Sequence, residues 1–143
     1  MKKLVFILGL MVTSLSTFAQ SGAKIEFKEE TINYGDVYKG VDSGKRTFEF
    51  TNTGDKPLII KDAKSSCGCT VPSFPKDPIA PGASEKIEVQ YNMNPGPISK
   101  TITVDTNAIN KENGMVALRI KGTVLVKEEK SILEKKSAGP LSK

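Results

Sequence analysis

Histidine is absent from the 143 residues and cysteine occurs twice. Without histidine a Ser-His-Asp triad, a Cys-His pair and the usual zinc ligand sets cannot be assembled. No glycine-rich phosphate loop follows a strand: Gly35, Gly40 and Gly44 are spaced as turn residues. Lysine and arginine are not clustered into a groove, so no nucleic-acid partner is indicated despite a formal charge of +5. Lys2 and Lys3 account for part of that charge, and the segment from Lys127 onward holds five lysines against three glutamates. Without both, the body from Gln20 to Val126 stands near neutrality, at about +1. Any catalysis would have to rest on thiols or carboxylates alone. The chain therefore reads as a non-enzyme, with thiol exchange as the activity left open.

Long apolar runs are equally scarce. One stretch, Leu4 to Val12, follows the basic Lys2-Lys3 start and precedes Thr17-Phe18-Ala19. Basic start, short apolar run and small residues at the last and third-last positions form the pattern of a cleaved export signal. About ten apolar residues fall short of the roughly twenty that span a bilayer. The expectation is a signal peptide over 1–19, cut after Ala19, and a processed protein without a membrane anchor in the periplasm or outside the cell. No cysteine stands near the cut to carry a lipid. The remainder suits one domain with one core.

Between Lys24 and Val124 apolar residues alternate with polar ones. Phe48 and Phe50 are interleaved with Thr47, Glu49 and Thr51, and Ile87, Val89 and Tyr91 with Lys86, Glu88 and Gln90. Ile102 and Val104 follow the same rule, as do Val116, Leu118 and Ile120. A period of two puts one apolar and one wet face on each strand, and two such sheets packed face to face make a sandwich. Turn residues punctuate the pattern at Asn52-Thr53-Gly54-Asp55-Lys56-Pro57, at Pro81-Gly82, at Asn94-Pro95-Gly96-Pro97 and at Asn113-Gly114. Leu58-Ile59-Ile60 reads as a strand, and weaker strands are expected near Ile25-Phe27 and around Thr70. Seven strands in one domain over 20–126 is the expected count. Residues 127–143, with few apolar positions, read as a charged tail outside the core.

The order of motifs is also familiar: Asn33-Tyr34-Gly35-Asp36-Val37, Phe48 to Asp55, Pro57 to Ile60, Ser66-Cys67-Gly68-Cys69-Thr70, Ile79 to Gly82, and Leu118 to Val124. It resembles the bacterial family called domain of unknown function 1573, an exported immunoglobulin-like module. More distantly it is similar to the sandwich domains of the ASPM, SPD-2 and Hydin group and of major sperm protein. The resemblance implies an all-β, immunoglobulin-like sandwich and an exported address. It implies no catalytic residue, and by analogy of fold it suggests binding or scaffolding.

Chemistry centres on Cys67-Gly68-Cys69. Two extended residues span about 6.6 to 7.2 Å, at the upper edge of disulfide Cα separations, so a bridge requires a bend that Gly68 permits. So small a loop would stabilise the fold by only about 1.6 kcal/mol, against about 3 for a loop of fifteen residues. Alternatively the two thiolates hold Cu(I), with Met93 and Met115 as candidate further sulfurs, or exchange disulfides with Lys64 as the nearest base in sequence. No cofactor is expected in the first case and copper in the second. Asn52, Asp55 and Asn107 are expected to bond local backbone. Calcium at Asp55, Asp62 and Asp105 lacks any recognised spacing. The proline-dense stretch Val71 to Pro81 is expected to cross the surface in extended form, with Phe74 and Pro75 as binding residues or Phe74 as a plug at the end of the sandwich. The resulting expectation is a non-catalytic binding module for an unidentified protein partner, met at an unpaired sheet edge or at the Cys67–Pro81 crossing. Copper or thiol chemistry is the alternative.

Overall fold

A computed structural model describes Gln20 to Glu128. The expected leader over 1–19 and the tail beyond Glu128 lie outside the described residues. The chain folds into strands β1 (Ile25–Phe27), β2 (Thr31–Tyr38), β3 (Lys45–Asn52), β4 (Ile60–Ser65), β5 (Thr70–Ser73), β6 (Ser84–Tyr91), β7 (Gly96–Thr106) and β8 (Met115–Leu125). One sheet has the order β1-β3-β6-β5 and the other β2-β8-β7-β4. All pairings are antiparallel except β2 with β8, which is parallel.

Each alternating segment places its apolar residues inward. Phe48, Phe50, Ile87 and Val89 from the first sheet meet Ile102, Val104, Leu118 and Ile120 from the second, all nearly inaccessible to solvent. The sandwich is therefore an all-β, immunoglobulin-like body, with eight strands where seven were expected. Both weak segments are real strands, of three and four residues, and each closes one edge of the first sheet. Such short edges leave only a faint periodic trace.

Three other local differences have physical reasons. The strand expected at Leu58 starts at Ile60 and runs through Lys-Asp-Ala-Lys-Ser, while Leu58 makes an isolated bridge to Ile79. The turn at Asn113-Gly114 does take positive φ at both residues, 53° and 73°. It closes a longer β7–β8 connection through a single 3-10 turn, Glu112–Gly114, and not a two-residue hairpin. On β2 the register shifts between Asn33 and Asp36. There Gly122 comes against Gly35, and a Cβ at position 122 would lie 2.8 Å from the Gly35 carbonyl oxygen, with φ at +149°. Glycine is required at 122 on both counts.

Asparagine side chains tie the ends of the sandwich together. Asn52 is fully buried; its Oδ1 accepts from the amides of Lys24 (3.3 Å) and Gly54 (3.0 Å), and its Nδ2 donates to the carbonyls of Lys56 (2.8 Å) and Ile79 (3.0 Å). Asn107 accepts from Ile59 N (2.8 Å) and donates to Pro57 O (3.1 Å). Asp55 accepts from Gly22 N at 2.6 Å. These side chains bond backbone as expected, but their partners are largely remote in sequence, so they act as tertiary ties.

Candidate functional site

The Cys67-Gly68-Cys69 turn is where the chain leaves the second sheet and enters the first. Before it, Ser66 N donates to Thr101 O on β7 (2.9 Å) and Thr101 N donates to Ser66 Oγ (3.4 Å). After it, Asn92 N, just past β6, donates to Cys69 O (2.9 Å). With both ends anchored, the backbone must fold back on itself, and the two Cα atoms stand 5.4 Å apart with the sulfurs paired. That separation lies inside the disulfide range and below the extended span. Cys69 packs partly against the core, Cys67 is half-exposed and Gly68 is open to solvent.

Gly68 is not explained by its backbone. It is absent from the positive-φ positions, and a Cβ built on it would meet nothing within 4 Å. The fold would accept a side chain here, whereas glycine leaves the flank of the sulfur pair bare.

Of the other candidates, Met93 adjoins the cysteine turn through its neighbour Asn92, whose N–H bonds Cys69 O. Met93 is buried, its sulfur about where a Cβ on Gly44 would come within 3.1 Å. Met115 lies opposite Asp105, four residues along β7 from Thr101, the anchor of the cysteine turn. That is roughly 13 Å at 3.3 Å per residue, so Met115 belongs to a different region of the sheet. Lys64 Nζ is engaged by Asp62 Oδ2 at 2.9 Å, and this hydrogen-bonded carboxylate raises the lysine pKa. Among the described residues no group of three or more His, Cys, Asp or Glu side chains could hold a metal ion. Asp55, Asp62 and Asp105 accordingly do not converge.

Phe74 and Pro75 follow β5, at the end of that strand opposite the cysteines. Phe74 packs against the core with its ring partly exposed, and Lys76 Nζ sits 3.5 Å from its centroid. This is the plug geometry, with a cation covering the outer face. Sequence reasoning passed over Val71, which is 62 % exposed on β5 beside the buried Thr70. The signal was available as a phase error: a valine on the wet side of an edge strand, with a threonine on the dry side.

A second polar cluster fastens the β2–β3 loop. Asp42 and Arg46 form a two-pronged pair (2.7 and 3.1 Å), the guanidinium carbon lies 4.1 Å from the Tyr34 ring centroid, and Tyr34 OH donates to Gly44 O (2.8 Å). The Arg46 hydrogen bonds hold the Asp42 carboxyl below its usual pKa, and burial pushes the Tyr34 phenol up to about 12. These groups satisfy one another and leave no reactive atom open.

The geometry thus defines a two-sheet immunoglobulin-like domain whose chemistry-bearing residues lie on an exposed crossing. Known proteins agree with that class. The structure of a protein of unknown function from Porphyromonas gingivalis W83 superposes with a TM-score of 0.62 at 14 % identity, covering 78 % of this chain and 51 % of the other. This chain therefore spans about half the length of that relative. The ASH/PapD-like domain 7 of human CEP192 matches with a TM-score of 0.58 at 11 % identity, over 73 % and 87 % of the two chains. WR4, a Caenorhabditis elegans MSP family member, matches with a TM-score of 0.50 at 16 % identity, over 73 % and 100 %. At these identities the likeness is one of fold. No curated protein matches the sequence. The family model for proteins of unknown function DUF1573 matches residues 25–124, and the chain belongs to that family.

Proposed function

We propose that this protein is an exported, non-catalytic binding or scaffold module that takes a protein partner at the Cys67–Pro81 crossing. The leader pattern over 1–19 supports export, and the fold class supports binding over catalysis. One observation carries the choice of surface: Val71, an apolar side chain 62 % exposed on an edge strand, is followed by the partly buried Pro72, Phe74 and Pro75. An apolar side chain this exposed on the outermost strand of the sheet favours a partner over solvent.

The main chain narrows the mode of contact. Because Asn92 N bonds Cys69 O, ladder alternation turns Thr70 and Pro72 away from β6, and Pro72 has no N–H. An incoming strand would find carbonyl acceptors but almost no donors, so side chains supply most of the contact. A photo-crosslinking residue placed at Val71 should capture a partner in cells, whereas one at Thr47, in the middle of the same sheet, should not. Equal adducts at both positions, or none at Val71, would refute the surface.

Thiol or soft-metal chemistry at Cys67 and Cys69 is the second reading, and the unexplained Gly68 favours it. Two-electron reduction of a bridge would yield two thiolates, the ligand type that selects Cu(I). A small loop bridge with an open flank is also the kind that exchanges readily. Titrating the reduced protein with Cu(I) against a competing chelator tests the metal branch. Binding retained after Cys67→Ser with Cys69→Ser would remove it.

A further inference from the structure

The outer faces of the two sheets treat charge differently. On the β1-β3-β6-β5 sheet the charges answer one another: Lys28 pairs with Glu49, Lys45 with Glu88 at 2.9 Å, and Glu49 stands opposite Lys86. Around the β2-β8-β7-β4 sheet three lysines are likewise matched. Lys64 pairs with Asp62 (2.9 Å), Lys61 with Asp105 (3.7 Å) and Lys111 with Glu30 (2.7 Å). Arg119 and Lys121, on the inner strand β8, make no ion pair among the described residues and are exposed. Their neighbours across the ladders are Thr31 and Asn33 on β2 and Thr101 and Ser99 on β7, short and uncharged. An open depression of about 350 Å³ runs between Thr31, Ser99, Lys100, Thr101, Arg119 and Lys121, and another of about 410 Å³ continues past Arg119 to Ala117 and Met115 and is also lined by the paired Glu30 and Lys111. Asp36, opposite Thr123, ends the strip.

We infer that this face docks an extended acidic peptide segment of a partner, with carboxylates on alternate residues, lying along β8. Spacing selects the occupant. Arg119 and Lys121 are two residues apart on one strand, roughly 6.8 Å, and an extended peptide repeats its same-face side chains at that interval. The guanidinium fork of Arg119 suits a carboxylate, and the short hydroxyl side chains on both flanks let a peptide backbone approach closely. A membrane surface is a poorer match, since lipid-binding basic patches use about four to eight cations and this depression is lined by three, Lys100, Arg119 and Lys121. The surface is separate from the Val71 crossing, so either site can fail without the other.

The test is fluorescence anisotropy of the purified full-length protein with two labelled eight-residue peptides of one composition, one alternating Glu and Thr, the other four Glu followed by four Thr. At low salt the alternating peptide should bind at least about fivefold more tightly, and the difference should shrink as salt rises. Arg119→Gln should weaken it about tenfold, and Lys86→Gln, on the opposite face, by less than about twofold. Lys121→Gln gives the same reading if Arg119→Gln fails to melt cooperatively. Equal affinity for the two peptides, equal loss from Lys86→Gln, or no binding at low salt would overturn the inference. So would displacement by phosphatidylglycerol vesicles but not by phosphatidylcholine vesicles, which would assign the face to anionic lipid.

Discussion

Replacing Asn52 by alanine isolates a single side chain that stands in for backbone at the junction of three segments. It deletes four hydrogen bonds from a site with no solvent exposure. The losses are unequal. Ile79 O keeps a second donor, Leu58 N at 2.8 Å, whereas the amides of Lys24 and Gly54 lose the acceptor they share. At about 1 kcal/mol net per hydrogen bond, with water replacing the one at Lys56 O, Asn52→Ala should cost about 3 kcal/mol. For a domain of this size that lowers Tm by roughly 10 to 15 °C. Urea unfolding followed by circular dichroism measures it directly. Asn52→Asp retains the acceptors but sets carboxylate oxygen against the Lys56 and Ile79 carbonyls, so it should lose as much at neutral pH and recover part of the loss on acidification, when the carboxyl can donate. A cost below about 1 kcal/mol for Asn52→Ala, with an unchanged urea slope, would refute the reasoning.

Gly68→Ala should change the unfolding free energy by less than about 0.5 kcal/mol, or raise it slightly, because the folded backbone accepts alanine and the unfolded chain loses freedom; a loss above about 1 kcal/mol would show that the turn needs glycine. Burial keeps the Tyr34 phenol neutral up to about 12, against 10.0 for an unburied one. The folded state therefore holds its proton longer than the unfolded state, and the associated stability is complete below about pH 10 and lost as pH rises toward about 12. Unfolding measured across that window should fall more steeply for the wild type than for Tyr34→Phe, and identical slopes would contradict the burial argument.

The inner strands were legible because both their neighbours are strands, so every second residue must be apolar; Phe48, Phe50, Ile87, Val89, Ile102, Val104, Leu118 and Ile120 are all buried as read. Edge strands carry less of that constraint. In β4 only Ile60 and Ala63 are buried, a spacing of three produced by the register shift after Ile60, and a period-two search passes over it. In β2 the phase slips at Gly35: Ile32 and Tyr34 point inward on one phase and Val37 on the other. The parallel β2–β8 pairing leaves no local trace, since its partners stand some ninety residues apart. At the crossing, the cysteine pair and the proline-rich path were readable from local chemistry. The distance of Met115 from the pair was not, because that depends on the β7–β8 register.

All four sheet edges are interrupted, by three kinds of device. On β1, Ile109 N donates to Ala23 O (2.8 Å) and the Asn110 amide takes both Ile25 N and Ile25 O at 3.0 Å, so a side chain occupies the place of a neighbouring strand. On β2 the register shift is held by Asn33 Oδ1 accepting from Gly35 N (2.9 Å), and on β4 by Asp62 Oδ1 accepting from Ala63 N (2.9 Å). On β5 the outward-facing Pro72 withholds a donor. A long added ladder would have to break one of these arrangements, and the hydrogen bonds gained would replace ones already made. Open edges would have favoured pairing between copies, with little discrimination of sequence. With the edges interrupted, the two proposed surfaces both rely on side chains, which discriminate: the residues beside Cys67 and Cys69 at the crossing, and Arg119 and Lys121 on the opposite sheet.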